Sequence, residues 1–342
     1  MDFLIADSLP WLKEPQQRLR SALQMGHLPH SLLVLSVPGL GAEHLANWMT
    51  ALVLCESQAT RPCDACPSCR LLRSDTHPDA HVVRLEEDAQ QIKIDQVREL
   101  IESLTLKSYR GGYKVGVIEG AEALNANGAN AFLKTLEEPS ADTVLIMIAR
   151  PNHRLPATVA SRCSRLRLSP PATDEGVAWL QANAPGANPS GANPSGANPS
   201  GANPWHAALA LAGGAPLLAV RLDAEGLAAI DSDMRQSITE LAEGSVDVTL
   251  LAERWVRSNP GVRITWLENW ITQRVHASLG AVTSRQTAEP VRLPAALLKP
   301  KIRALFELLD AARDVRRLAS TGMNQQLALE ALLVGGRTAL GK

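Results

Sequence analysis

Between residues 31 and 170, short apolar runs alternate with segments that have the spacing of amphipathic helices. The runs have the length and the β-branched content of buried strands. This alternation is typical of a parallel sheet with helices on both faces, so we predict a doubly wound α/β domain. The predicted strands are SLLVLS (31–36), AHVVRL (80–85), YKVGVIEG (113–120), TVLIMIA (143–149) and SRLRLS (164–169), and the predicted helices are Ala42 to Leu54, Ile94 to Leu106, Asn127 to Glu137 and Leu155 to Ser161.

The first predicted strand runs into the turn SVPGLGAE (36–43), which has the layout of a phosphate-binding loop without its chemistry. In the nucleotide-binding form, G-x-x-x-x-G-K-[ST], backbone N–H groups and a Lys hold the phosphates, and a hydroxyl holds Mg²⁺. Here Ser36 replaces the first Gly, Gly39 and Gly41 remain in the turn, and Ala42 and Glu43 replace the Lys and the hydroxyl residue. We therefore predict a degenerate loop that binds no ATP.

A second motif of an ATPase of this layout is also incomplete. Such an enzyme needs an acidic residue at the end of a later strand for Mg²⁺, usually followed by a Glu that activates the attacking water. In VGVIEG (115–120), Glu119 keeps one carboxylate, but Gly120 stands where the activating acid would follow. The two motifs together favour a retained scaffold over a weak ATPase.

Four cysteines, Cys55, Cys63, Cys66 and Cys69, follow this loop and its helix with the spacing C-x7-C-x2-C-x2-C. Four thiolates fit a tetrahedral Zn²⁺ site, and a closed set of four ligands indicates a structural role. An iron–sulfur cluster is the alternative, but no fourth Cys follows at the expected spacing. We interpret the nearby His77, Asp79 and His81 as turn and strand-edge residues, and Cys163 as a small, partly buried side chain.

The second half of the chain begins with a repeat and continues with helical spacing. Residues 186 to 204 read GANPSGANPSGANPSGANP, which contains no large apolar residue and predicts a linker. Farther on, Ile302, Leu305, Leu309 and Ala312 share one helix face, and Asn324 is the predicted N-cap of a last helix that buries Leu329, Leu332 and Leu333. An ordinary helical domain and an oligomerisation bundle both fit this pattern.

The overall charge indicates neither autonomous nucleic-acid binding nor membrane binding. The chain has 34 basic and 35 acidic residues, and 45% of its residues are hydrophobic. The start MDFLIADSLPWLKEP does not resemble a secretory signal, and the longest apolar stretch, 207–220, is interrupted by Gly and Pro. We therefore expect a cytoplasmic protein with no membrane partner.

Several motifs together resemble the delta-prime subunits of the bacterial sliding-clamp loader, which belong to the AAA+ class. The motifs are NAFLKTLEEPS (130–140), SRC (161–163), the four-Cys insert and NQQLALEALL (324–333), and the resemblance covers nearly the whole chain. LKTLEEP and SRC are shared with the ATP-hydrolysing loader subunits, whereas the broken phosphate loop is specific to delta-prime. The resemblance implies an AAA+-like domain at 1–170 with a zinc module at 55–69, a small helical domain at 171–222 and a helical collar at 223–342.

The same resemblance implies a function within the DNA polymerase III holoenzyme. The chain would assemble with gamma or tau and delta subunits, and would reach the sliding clamp and primed DNA through that complex. It would have no ATPase activity of its own, and Arg162 of SRC would act as an arginine finger on ATP of a neighbouring subunit. A weakly active loader ATPase and a zinc-dependent DNA-binding module are the alternatives, which nucleotide-binding and DNA-binding assays distinguish.

Overall fold

The computed structural model describes residues 3–86, 89, 91–151, 155–184, 204–224, 227–258, 260–280, 300–318 and 324–340. The chain forms two compact units, Met1–Ala172 and Thr173–Lys342. The first unit ends next to the predicted boundary after residue 170. The predicted linker lies outside the described residues except for Pro204, which begins a helix.

The first unit contains a five-stranded sheet in which every neighbouring pair of strands is parallel. The spatial order of the strands is β2-β3-β4-β1-β5. All five strands, and the parallel α/β architecture, were predicted and are confirmed. The strands are β1 (Ser31–Leu35), β2 (Ala80–Val83), β3 (Lys114–Glu119), β4 (Thr143–Ala149) and β5 (Ser164–Arg167).

The burial of each strand follows from its place in this order. Every residue of the central strand β4 is buried, which explains its unbroken apolar run. The edge strand β5 buries only Leu166, while Arg165 and Arg167 are exposed. Charged side chains on an edge strand oppose pairing with another chain.

Helices cover both faces of this sheet. On one face, Leu33, Ile118 and Met147 share a core with α4 to α7. The strand residues that alternate with them, including Leu32 and Ile146, are buried against the other face, where α2 packs on β3 and β4. The helices are α1 (Lys13–Gln24), α2 (Ala42–Leu54), α3 (Pro67–Arg73), α4 (Ile94–Thr105), α5 (Ala126–Ala131), α6 (Leu133–Glu137) and α7 (Ala157–Ala160).

Two predicted helices differ from those observed. The segment predicted as one helix from Asn127 to Glu137 forms α5 and α6, with the fully buried Phe132 at their junction. The side chain of Asn125 accepts a hydrogen bond from the Gly128 N–H at 2.7 Å, which fixes the start of α5 at Ala126. The predicted helix from Leu155 is shorter and begins after Pro156.

In the second unit, every described element is a helix, as predicted. The described residues of this unit form two apolar cores, one within α8 to α10 and one within α11 to α15. The predicted boundary at 222/223 lies inside α10, and the division into a small domain and a collar stays a prediction. The helices are α8 (Thr173–Asn183), α9 (Pro204–Leu211), α10 (Pro216–Ala224), α11 (Leu227–Glu243), α12 (Val248–Arg257), α13 (Pro260–Gly280), α14 (Pro300–Leu318) and α15 (Gln325–Leu340).

The predicted cap and buried face of α15 are confirmed. The side-chain oxygen of Asn324 accepts hydrogen bonds from the N–H groups of Gln326 and Leu327 at 3.1 and 3.3 Å. The apolar face of the helix buries Leu329, Leu332 and Leu333, and α14 buries Ile302, Leu305, Leu309 and Ala312. Among the described residues, no helix combines the length and the apolar composition that crossing a lipid bilayer requires.

Gly116 of β3 allows the close approach of α4 to the sheet, so a larger residue at this position should lower the stability of the chain. A methyl group on its Cα would lie 3.0 Å from Cδ1 of both Leu100 and Leu104. We expect Gly116→Ala to lower the free energy of unfolding by about 1–3 kcal/mol, the usual cost of overpacking a core. Urea unfolding of the whole chain measures this change. The control is Gly112→Ala, where no heavy atom lies within 4 Å of the added methyl; equal stability of the two variants would contradict the prediction.

Candidate functional site

The loop between β1 and α2 contains two glycines in a left-handed conformation. Gly39 and Gly41 both have φ of 83°, a left-handed conformation that side chains other than Gly rarely adopt. Gly41 is the N-cap of α2, and Ala42 is the first helical residue with only 3% of its surface exposed. The side chain that replaces the phosphate-binding Lys is therefore a small buried methyl group. Glu43, which replaces the hydroxyl residue, is exposed.

A residue of the N-terminal segment is hydrogen-bonded to this loop, a contact that the sequence did not predict. The indole Nε1 of Trp11 donates a hydrogen bond to the carbonyl oxygen of Leu40 at 2.8 Å. The Leu40 side chain is fully buried, together with Phe3, Leu9 and Leu12 from the N-terminal segment. The loop is consequently held by packing and by a hydrogen bond within its own chain.

The carboxylate that remains from the second ATPase motif, that of Glu119, is hydrogen-bonded by a residue of its own chain. Both carboxylate oxygens of Glu119 accept hydrogen bonds from Arg84, from Nε at 2.8 Å and from Nη2 at 3.0 Å. These bonds raise the pKa of the Arg84 guanidinium. Gly120 follows with φ of 76°, so a Glu at this position would require a strained backbone. The carboxylate that would hold Mg²⁺ in an ATPase is thus paired with an arginine.

The four predicted cysteines converge to one place next to the sheet. The Sγ atoms of Cys55, Cys63, Cys66 and Cys69 all lie within 4.8 Å of one another, and those of Cys55 and Cys66 are 3.9 Å apart. Four sulfurs around a Zn²⁺ ion at about 2.3 Å would be about 3.8 Å apart. The donor set and its spacing therefore fit a metal ion of this kind.

Local backbone geometry produces this cluster. Cys55 is the C-cap of α2, and Cys66 is the N-cap of α3, where its Sγ accepts a hydrogen bond from the Cys69 N–H at 3.4 Å. The Sγ of Cys63 likewise accepts from the Cys66 N–H at 3.4 Å. Each C-x2-C pair thus turns its thiols toward a common point, and the N–H donors stabilise negative charge on sulfur.

The cysteine pKa values differ with burial. Hydrogen bonds from the backbone N–H groups of Ala65 and Cys66 lower the pKa of Cys63 to about 6. Burial raises the pKa of Cys55 and of Cys69. A bound divalent ion would supply the positive charge that lets all four thiols stay deprotonated.

His77 and Asp79 lie outside the cysteine cluster, as predicted, but both are buried and connect it to the sheet. The imidazole Nε2 of His77 is 2.7 Å from the Ser68 hydroxyl on α3. Asp79 accepts hydrogen bonds from the Ser108 hydroxyl and from the N–H groups of Tyr109 and Arg110 at 2.6–3.1 Å. Burial lowers the pKa of His77, so its neutral form is favoured. These side chains position the module and the loop after α4.

Arg162 lies at the opposite end of β1 from the degenerate loop. Its backbone carbonyl accepts a hydrogen bond at 3.0 Å from the hydroxyl of Ser31, the first residue of β1. Ser36 follows the last residue of that strand, about 16 Å away at 3.3 Å per residue. The structure therefore does not bring Arg162 together with the loop of its own chain. Its guanidinium contacts Glu137 of the LEEP segment instead.

Comparison with known proteins identifies the family. The family model described as "DNA polymerase III, delta subunit" matches residues 11–172, and "DNA polymerase III, delta subunit, C terminal" matches residues 231–337. The DNA polymerase III subunit delta′ of Pseudomonas aeruginosa is 31% identical over 342 residues, covering 96% of this chain and 97% of that protein. This chain belongs to the delta′ family of DNA polymerase III subunits.

Two further relatives agree with this assignment. Subunit delta′ of Yersinia pestis is 30% identical over 337 residues, which is 97% of this chain and 96% of that protein. The tau subunit of Salmonella typhimurium is 29% identical over 151 residues, which is 44% of this chain and 23% of that protein. The two full-length delta′ matches thus cover nearly all of this chain, whereas the match to tau covers less than half of it.

Proposed function

We propose that this member of the delta′ family is a clamp-loader subunit that does not hydrolyse ATP. In this proposal it helps to load the sliding clamp onto primed DNA and donates Arg162 to ATP held by a neighbouring gamma or tau subunit. The delta subunit is its other partner in the ring. The observation that carries the proposal is the placement of two features of the first unit. The degenerate loop follows the carboxyl end of β1, whereas the partly exposed Arg162 lies at the amino end of that strand.

The proposed lack of hydrolysis is supported at the positions that would bind phosphate, hold Mg²⁺ and activate water. Ala42 offers no cation to the phosphates, and Glu43 brings a negative charge to the position of the Mg²⁺-binding hydroxyl. Glu119 is paired with Arg84, and Gly120 offers no base. Several independent losses would have to be reversed together to regain activity.

The proposed role of Arg162 in trans is supported by its place at the amino end of β1, away from the loop of its own chain. In ring-shaped ATPases the nucleotide lies between subunits, and an arginine of the neighbour stabilises charge on the transferring phosphoryl group. Arg162 stands about the length of β1 from the loop of its own chain. Its side chain is 37% exposed, so a second subunit has access to it.

We further propose that Cys55, Cys63, Cys66 and Cys69 hold one Zn²⁺ ion with a structural role. Two of these residues are buried and two are half-buried, and the four thiols form a closed ligand set. Such a set leaves no position for a reactive water. The ion would tie the end of α2 to the start of α3.

Metal analysis tests the zinc proposal. We expect purified chain to contain about one zinc per molecule, and Cys66→Ser to lose most of it, because one of four thiolate ligands is removed. The unfolding midpoint of the chain should change little, since the core that the sheet shares with α4 to α7 contains none of these four cysteines. Cys163→Ser is the control and should keep its metal, because Cys163 lies outside the cluster. Iron, or no metal, in the unaltered chain would refute the proposal.

Titration calorimetry tests the absence of nucleotide binding. We expect the isolated chain to bind ATP with a Kd weaker than about 1 mM, because the Lys–phosphate contact is absent and Glu43 adds repulsion. An ATP-hydrolysing loader subunit titrated in the same buffer is the positive control. A micromolar Kd for this chain would contradict the prediction.

Substitution of Arg162 tests the action in trans. We expect Arg162→Ala to fold and to assemble, yet to lower the DNA- and clamp-stimulated ATPase of the reconstituted loader. A finger contributes about 10³–10⁵ in rate at its own site, but other sites in the ring keep their own arginines, so the total rate should fall only in part. Arg162→Lys should rescue poorly, because an ammonium lacks the planar fork.

The matched control is Arg165→Ala, an exposed arginine on the adjacent strand β5. This substitution removes the same charge from the same region and should leave the ATPase unchanged. If Arg162→Ala and the unaltered chain give equal ATPase and loading rates at equal assembly, Arg162 has no role in hydrolysis.

A further inference from the structure

Every nitrogen of the Arg162 guanidinium makes a hydrogen bond within its own chain. Nε and Nη2 both donate to Oε1 of Glu137, at 2.9 and 2.5 Å. Nη1 donates to the carbonyl oxygen of Thr158 at 2.9 Å, on the turn of helix that precedes Arg162. The guanidinium is therefore held in a defined orientation, although the side chain is partly exposed.

These contacts leave part of the guanidinium able to bind a second acceptor. A guanidinium carries five N–H donors in one plane, and the three bonds above use one each from Nε, Nη1 and Nη2. One N–H remains on each terminal nitrogen. Because Nη2 shares the Glu137 oxygen with Nε, its remaining N–H points away from the carboxylate. Each of these two N–H groups can donate to a phosphate oxygen.

The backbones that carry Glu137 and Arg162 are hydrogen-bonded to His30, which precedes β1, and to Ser31, the first residue of β1. The imidazole Nε2 of His30 is 3.1 Å from the Leu136 carbonyl oxygen, next to Glu137. The hydroxyl of Ser31 donates to the carbonyl oxygen of Arg162 at 3.0 Å. The end of α6 and the segment after α7 are thus fixed to one point of the sheet, so the separation of the two side chains is set by the fold.

We propose that Glu137 is the positioning residue for Arg162. Its carboxylate holds the Nε edge of the guanidinium and leaves the terminal N–H groups to meet a phosphate of ATP on the neighbouring subunit. This inference rests on the proposed function of Arg162 in trans.

The physical effect of Glu137 is on orientation. Exposed ion pairs contribute little to folding, and both side chains here are partly exposed. An arginine has many rotamers, however, and ordering it before the phosphate arrives removes part of the entropy cost of the transition-state contact. An interaction that acts at the transition state changes kcat and leaves KM unchanged.

The test uses loader reconstituted with ATPase subunits whose own SRC arginines are replaced by Ala, so that the remaining stimulated ATPase depends on Arg162. We expect Glu137→Ala to lower kcat by roughly twofold to tenfold with KM for ATP unchanged. Glu137→Gln should restore most of the rate, because the amide oxygen accepts the same two N–H groups. Glu138→Ala is the matched control, an exposed carboxylate one residue along, and should have no effect.

A double substitution separates positioning from a general effect on the fold. In the Arg162→Ala background, Glu137→Ala should cause no further loss, because the side chain that it positions is already absent. A further loss in that background overturns the proposal, and so does a rise in kcat for Glu137→Ala, which would mean that Glu137 restrains the finger.

Failure of the two proposals can be told apart in the same experiment. If Arg162→Ala lowers kcat and Glu137→Ala does not, only the positioning role is overturned. If Arg162→Ala itself leaves kcat unchanged, the action of this chain in trans is lost, and the role of Glu137 is lost with it.

Discussion

The parallel direction of all five strands is the constraint on which the rest of the first unit depends. In such a sheet the carboxyl ends of the strands form one edge and the amino ends form the other. The degenerate loop follows the end of β1 and Glu119 is the last residue of β3, whereas Arg162 is hydrogen-bonded to the first residue of β1. Groups this far apart within one chain could act on one phosphate only across two chains, which is the arrangement that we propose for a ring of similar subunits.

Two groups at the carboxyl edge of the sheet, the Leu40 carbonyl and the Glu119 carboxylate, have hydrogen-bond partners within the chain. Leu40 is fully buried and its carbonyl is bonded by Trp11, while the Glu119 carboxylate is bonded by Arg84. An unpaired buried polar group would cost folding free energy. These contacts make the loop between β1 and α2 and the end of β3 part of the hydrogen-bonded framework of the first unit.

The sequence predicted those features that depend on local pattern and missed those that depend on distant pairs. Five strands, α2 and the Asn324 cap follow from periodicity, turn residues and capping chemistry, and the cysteine cluster follows from ligand spacing. The break at Phe132 was missed because a helical period continues across it. Arg84 and Glu119 are 35 residues apart in the sequence. No residue type or spacing predicts such a long-range ion pair before the order of the strands is known.

The pair of Glu137 and Arg162 has a further consequence for the free subunit. If Arg162 acts in trans as proposed, its guanidinium would be mobile and uncompensated on the surface of the free subunit without this partner. Glu137 neutralises this charge through one carboxylate oxygen while leaving terminal N–H groups uncovered. The carboxylate also reduces the long-range attraction of the guanidinium for phosphate, so recognition should depend on close contact and geometry, which only a correctly assembled neighbour offers.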